Sequence, residues 1–130
     1  MNRARMLAVV LGLLVLAFSI TGSAQQIELT VQTYWDPEIG TGTALMELFD
    51  RFEEENPHIS VTHIYVPFAE LLRTILTQSL TGTLPDIIFA DNPDILQLAA
   101  SGALKDITRH VEEWGQWDDF FVGPQLATTL

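Results

Sequence analysis

The chain contains no cysteine, which removes disulfide frameworks, thiolate-bound zinc or iron–sulfur centres and thiol nucleophiles from consideration. Basic residues are scarce: 6 Lys+Arg stand against 17 Asp+Glu in 130 residues, a formal net charge of −11. Neutralising phosphates takes clustered Lys and Arg, so the balance excludes nucleic acid as a partner, and it argues equally against an anionic membrane surface. Neither a Gly-rich phosphate loop nor a G-x-S-x-G elbow is present, which leaves phosphoryl transfer and serine hydrolysis without their usual marks. His58 and His63 are five apart on a predicted strand, face opposite sides and cannot share a metal. His110 stands alone. No catalytic residue, metal or cofactor is therefore expected. Low-complexity tracts and Ser/Gly linkers are lacking too, and the length allows one ordinary domain.

Only one apolar run is long. Arg3 and Arg5 precede Met6–Phe18 (MLAVVLGLLVLAF), and small residues follow, with Gly22 and Ala24 spaced as in a small-x-small cleavage site. A basic start, a short apolar run and such a site describe a secretory signal peptide; the run falls short of the ~20 residues a membrane-spanning helix needs. Cleavage is expected after Ala24, and no Cys follows to carry a lipid. The expectation is a released, periplasmic chain, not lipid-anchored, with residues 1–24 as signal and 25–130 as the folded part. That part retains Arg51, Arg73, Lys105 and Arg109 against all 17 acids.

From Ile27 onward the chain reads as alternating strands and helices. Ile27, Leu29 and Val31 alternate with Glu28, Thr30 and Gln32, the period of a strand, which Pro37 stops. Thr41-Gly42-Thr43 offers an N-cap for a helix bearing Leu45, Leu48, Phe49 and Phe52, ended by Asn56-Pro57. Glu53-Glu54-Glu55 reads as its solvated outer face. Ile59–Val66 is a second strand, polar enough for a sheet edge. A second helix carries Phe68, Leu71, Leu72, Ile75, Leu76 and Leu80 and stops at Gly82. Asp86–Ala90 reads as a central parallel strand with both faces covered. Asn92-Pro93 opens a third helix that Gly102 ends, and Thr108–Glu113, Asp118–Phe121 and the stretch from Gly123-Pro124 are weaker helical signals. Strands starting near 27, 59 and 86 predict an α/β fold: a mainly parallel sheet with right-handed crossovers, layered α-β-α.

In open α/β sheets, ligands bind beyond the carboxyl ends of the strands. Those ends carry Tyr34-Trp35-Asp36, Val66-Pro67-Phe68 and Ala90-Asp91-Asn92. Aromatic faces pack on the C–H surface of a polyhydroxylated ligand while Asp and Asn take directed hydrogen bonds. Core packing for Trp35 and helix capping for Asn92 are the structural alternatives. Asp36, Asp86 and Asp91 also suggest a magnesium site for phosphoryl transfer; the sole Lys, Lys105, lies in a surface turn and does not serve it.

Tyr34-Trp35 followed by Ala44–Val61 (ALMELFDRFEEENPHISV), Leu84–Asp91 (LPDIIFAD) and Ala99–Asp106 (AASGALKD) together resemble the opening of extracellular solute-binding proteins of ABC importers. The maltose, multiple-sugar and glycerol-phosphate type is the nearest. The resemblance runs from Ile27 to about Leu130. It implies a periplasmic-binding-protein type II lobe and a monomeric, two-lobed binder that closes on a carbohydrate at a hinge and delivers it to the permease subunits in the membrane. It places ligand-binding positions at Trp35, Asp36, Phe68, Glu70, Asp91 and Asn92, beside Tyr34. Members of that family are several times longer, so the chain is expected to represent an N-terminal lobe without its partner lobe, and a single lobe is expected to bind sugar weakly. The competing readings are a small exported α/β hydrolase or phosphatase using strand-end carboxylates, and a receiver-like signalling module.

Overall fold

The computed structural model describes residues 26–129; the expected signal segment lies outside them. Three strands form one sheet: β1 (Ile27–Thr33), β2 (Ile59–Tyr65) and β3 (Ile87–Ile88), in the order β2-β1-β3. Both pairings are parallel, with Ile27 opposite Ile59 through to Thr33 opposite Tyr65, and Val31 and Gln32 opposite Ile87 and Ile88. Helix α1 (Thr41–Glu55) joins β1 to β2, and α2 (Phe68–Thr81) joins β2 to β3. After β3 a 3-10 turn at Asn92–Asp94 runs into α3 (Ile95–Ala100), followed by α4 (Thr108–Trp114), a second 3-10 turn at Trp117–Asp119, and α5 (Val122–Thr128). No described helix is long and apolar enough to cross a membrane.

Burial follows from β1 being central. Val31, Gln32 and Thr33 are all buried, so both faces of its carboxyl half are covered. On one face Leu71 and Ile75 of α2 and Leu98 of α3 form the buried cluster, with Tyr34, Val66, Leu72, Ile88 and Ala90 packed against it. Gln32 sits beneath α2 on this face. It is 0% exposed, and its Oε1 accepts a bond from Gln78 Nε2 at 2.9 Å. Its own Nε2 and Gln78 Oε1 have no partner. The opposite face carries α1, whose Phe49 ring lies 6.2 Å from that of His63.

Several expectations need correction. The third strand is not central: it forms only two residues, lies at the edge of the described sheet, and leaves Ile87 45% exposed. An unbroken apolar run cannot distinguish two covered faces from one; here Ile88 faces the α2–α3 cluster and Ile87 the thinner side. Helix α1 is not capped by a Thr side chain. Gly40, at φ 52°, is its N-cap with no side-chain bond, a conformation glycine adopts without steric cost. Glu53 is not simply solvated, since its carboxylate accepts the Val61 N–H of β2 and ties α1 to the sheet. The helix stops are where glycine signalled them: Gly82 takes the left-handed conformation at the end of α2, and Gly102 does so two residues past α3.

Candidate functional site

Parallel strands connected by helices bring all three strand exits to one edge. The ladder fixes their levels: Val66 N–H donates to Thr33 O at 2.9 Å, and Phe89 N–H donates to Gln32 O at 2.9 Å. Four aromatic rings therefore meet above the sheet. Phe68 of α2 stands edge-on to Tyr34, with centroids 5.2 Å apart. Tyr34 is tilted against Trp35 at 5.2 Å, and Trp35 meets Phe89 edge-on at 4.9 Å. These separations fall within the range where aromatic pairs attract. The row runs from Tyr34, packed on the α2–α3 cluster, to Phe89 through the bend that Tyr34 and Trp35 make after β1. Tyr34 is anchored in the α2–α3 cluster, Trp35 is partly exposed, and Phe68 is 57% exposed.

The sequence missed Phe89. Its place in an apolar run disguised it as core, although strand alternation sets it on the face opposite Ile88, and β1 pairing brings it to the level of the β1 exit.

The acidic and amide candidates occupy the same edge without joining the aromatic row. Asp36 Oδ1 accepts the Glu38 N–H at 2.9 Å and closes a turn. Asp91 Oδ1 accepts the Asn92 N–H at 2.9 Å and caps the 3-10 turn. Among the described hydrogen bonds the second carboxylate oxygen of each, and the Asn92 side chain, have no partner. Glu70 is exposed in the first turn of α2, and its Oε2 pairs with Arg73 one turn further on. A cleft of about 460 Å³ opens beside Asn92, between Ala90 and Ile95 on one side and Gly123, Pro124 and Ala127 of α5 on the other.

Asp86 separates from these groups. It directly precedes β3, level with the middle of β1, where its Oδ2 accepts the Thr30 hydroxyl at 2.7 Å and the Thr30 N–H at 2.9 Å. Its own N–H donates to Thr30 Oγ1 at 2.9 Å. Those bonds hold its carboxyl below the usual aspartate range, the hydroxyl contributing most. Asp36, Asp86 and Asp91 do not converge into a magnesium site: among the described residues no three Asp, Glu, His or Cys groups are placed to hold a metal.

Under the row lies a polar link. The backbone N–H of Trp35 donates to Thr33 Oγ1 at 3.1 Å, and the same hydroxyl lies 2.9 Å from His63 Nε2. Thr33 is fully buried, and burial lowers the His63 pKa from its ordinary value.

Residues 35–129 match the family model described as bacterial extracellular solute-binding protein. No curated protein sequence gives a significant match. Among solved structures, the cyclic alpha-maltosyl-1,6-maltose binding protein from Arthrobacter globiformis is 29% identical with a TM-score of 0.56, over 63% of this chain and 20% of its own. UspC of M. tuberculosis is 27% identical with the same TM-score and coverage. CpMnBP1, solved with mannotriose bound, shares the fold at 20% identity and a TM-score of 0.70, over 81% of this chain and 26% of its own. The chain thus spans about a quarter or less of the length of these structures, and its α/β unit with a three-stranded parallel sheet matches part of a periplasmic-binding-protein lobe.

Proposed function

Since the chain belongs to the bacterial extracellular solute-binding proteins, a non-enzymatic family, we propose that it captures a carbohydrate on the aromatic row at the strand exits. The row from Phe68 through Tyr34 and Trp35 to Phe89 carries this reading. It offers ring surface for the C–H face of a sugar, and the unengaged oxygens of Asp36 and Asp91, with Asn92, flank it as hydroxyl partners. The maltose-derived ligand named for the Arthrobacter globiformis protein supports the sugar class. Family membership sets the hydrolase, phosphatase and receiver-like readings aside.

In this reading residues 25–130 supply one wall of a cleft in an N-terminal lobe, and a second lobe closes over the ligand at a hinge. The chain is exported by a signal peptide cleaved after Ala24. It works as a monomer that carries no lipid anchor and hands its solute to ABC permease subunits.

One wall alone leaves the ligand hydrated on its other side, whereas small-molecule sites typically bury ~70–90% of the ligand. Residues 25–130 should therefore bind maltotetraose only in the millimolar range. Amide shift changes are expected at Tyr34, Trp35, Phe68, Phe89 and Asp91. In the chain completed by a second lobe, Trp35→Ala should weaken binding by about 1–3 kcal/mol, the scale of one stacked ring withdrawn from water, and Asp91→Ala should weaken it by removing a charged acceptor. Saturating shifts confined to other surfaces, or mutants that lose thermal stability with affinity unchanged, would overturn the site.

A further inference from the structure

We propose that Thr33 and His63 are a positioning pair for Trp35, in which the protonation state of His63 sets the seat of the ring. The inference rests on the reading of Trp35 as a sugar-stacking residue. Thr33 is 0% exposed and carries one hydroxyl proton. Its oxygen already accepts the backbone N–H of Trp35 at 3.1 Å, so that proton needs an acceptor, and His63 Nε2 at 2.9 Å is the one available. With the imidazole neutral and its proton on Nδ1, the bonds run in one direction: Trp35 N–H to Thr33 O, Thr33 O–H to His63 Nε2.

A protonated imidazole has hydrogens on both nitrogens and no acceptor. Nε2 then becomes the donor, and the Thr33 hydroxyl proton is left without a partner inside the fold. An unmade bond to a buried polar group is costly, and the relief nearest to hand is a turn of the Thr33 side chain about its Cα–Cβ bond, which carries Oγ1 away from the Trp35 backbone N–H and frees the segment that seats the ring. The ring 4.9 Å away, Phe89, would register the same displacement.

The surroundings of His63 favour the neutral form. From α1 the Phe49 ring faces it, and Glu53, the acid tied to this strand, is occupied by the Val61 N–H. From β1 the flanking residues are Val31 and Thr33. The β1 acid, Glu28, lies on the other face, where it accepts the Thr62 hydroxyl at 3.0 Å. Tyr65, two residues along β2, is exposed. The shift from ordinary histidine behaviour comes from burial and is downward.

Fluorine NMR of the full chain carrying 5-fluorotryptophan tests the pair. Its three Trp signals are assigned with Trp114→Phe and Trp117→Phe. The Trp35 signal should move as pH falls, with a midpoint below the ordinary histidine value. That movement should vanish in His63→Gln, persist in His58→Gln and His110→Gln, and survive in Thr33→Ser but not in Thr33→Val. A packing role alone would displace the signal without removing its pH dependence. Should Thr33→Val fail to fold, His63→Gln and Thr33→Ser decide. A Trp35 signal that is flat in the wild type, or titrates unchanged in His63→Gln, overturns the proposal. Maltotetraose titration is scored separately. A pH-dependent Trp35 with no sugar bound keeps the positioning pair and removes the sugar reading.

Discussion

Gly42 is buried in the first turn of α1, where most helices expose their surface, and replacing it by Ala is expected to disturb the site's scaffold. A Cβ built there lies 1.8 Å from the Asp36 carbonyl oxygen and 2.4 Å from its carbon, where ordinary contact begins at 3.4 Å. The turn after β1 must retreat by about 1.6 Å to admit one methyl group. The obstacles are backbone atoms, so no side chain can swing away. The turn is also fastened: Ile39 N–H donates to Asp36 O at 3.1 Å and the Thr43 hydroxyl reaches Pro37 O at 3.3 Å. Overpacking of this kind costs about 1–3 kcal/mol. Alanine's better helix propensity returns at most ~1 kcal/mol, a value for helix interiors. The net loss, up to about 3 kcal/mol, lowers Tm by roughly 4–8 °C per kcal/mol in a domain of this size. Because Trp35 directly precedes Asp36, sugar affinity should fall with it. Melting curves followed by circular dichroism provide the measurement, with Gly123→Ala as the control: a Cβ there meets nothing within 4 Å, so its Tm should hold or rise. Gly42→Ala melting at or above wild type would refute the close approach.

Asp86, held below the usual carboxylate range chiefly by the Thr30 hydroxyl, stabilises the fold above the ordinary aspartate range and loses that contribution as pH falls through its folded pKa. Thr30→Val should raise the Asp86 pKa in a carboxyl NMR titration and reduce this acid-side dependence; an unmoved Asp86 would contradict it. The buried amides of Gln32 and Gln78 share one bond and leave two atoms unpaired, so Gln78→Leu alone should cost about 1–3 kcal/mol by stranding Gln32. The double variant Gln32→Met with Gln78→Leu should recover most of that loss in urea unfolding, and a strictly additive double mutant would count against the pairing.

Much of the architecture was legible because its signals are local. Pro37, Asn56-Pro57 and Gly82 punctuate the chain where backbone chemistry requires, and the strand intervals dictate parallel pairing through helices. Gln32 was harder to read. Its alternation with Leu29 and Val31 gives no hint of complete burial, which depends on Gln78 arriving from 46 residues away. The roles of Asp86 and Asp91 were equally hidden, since the same residue type before and after one short strand binds the Thr30 of β1 in one case and caps a 3-10 turn in the other. Tyr34, Trp35 and Phe68 stood out beside turn residues, whereas Phe89 emerged only once β1 and β3 were aligned. Gly42 carried no sequence mark beyond its type; its neighbour is a carbonyl six residues back.

A ladder of two residues cannot define its own register, and in a parallel sheet a slip by one position turns every side chain of a strand to the other face. For β3 such a slip would carry Phe89 away from Trp35 and bring Ile88 or Ala90 to that side. The three bonds between Thr30 and Asp86 act as a stop at the strand's entry, and the chain from Asp86 to Phe89 becomes a measured arm. The height of an aromatic ring at the carboxyl-terminal edge is thus gauged three residues upstream, by a threonine and an aspartate in the middle of the sheet.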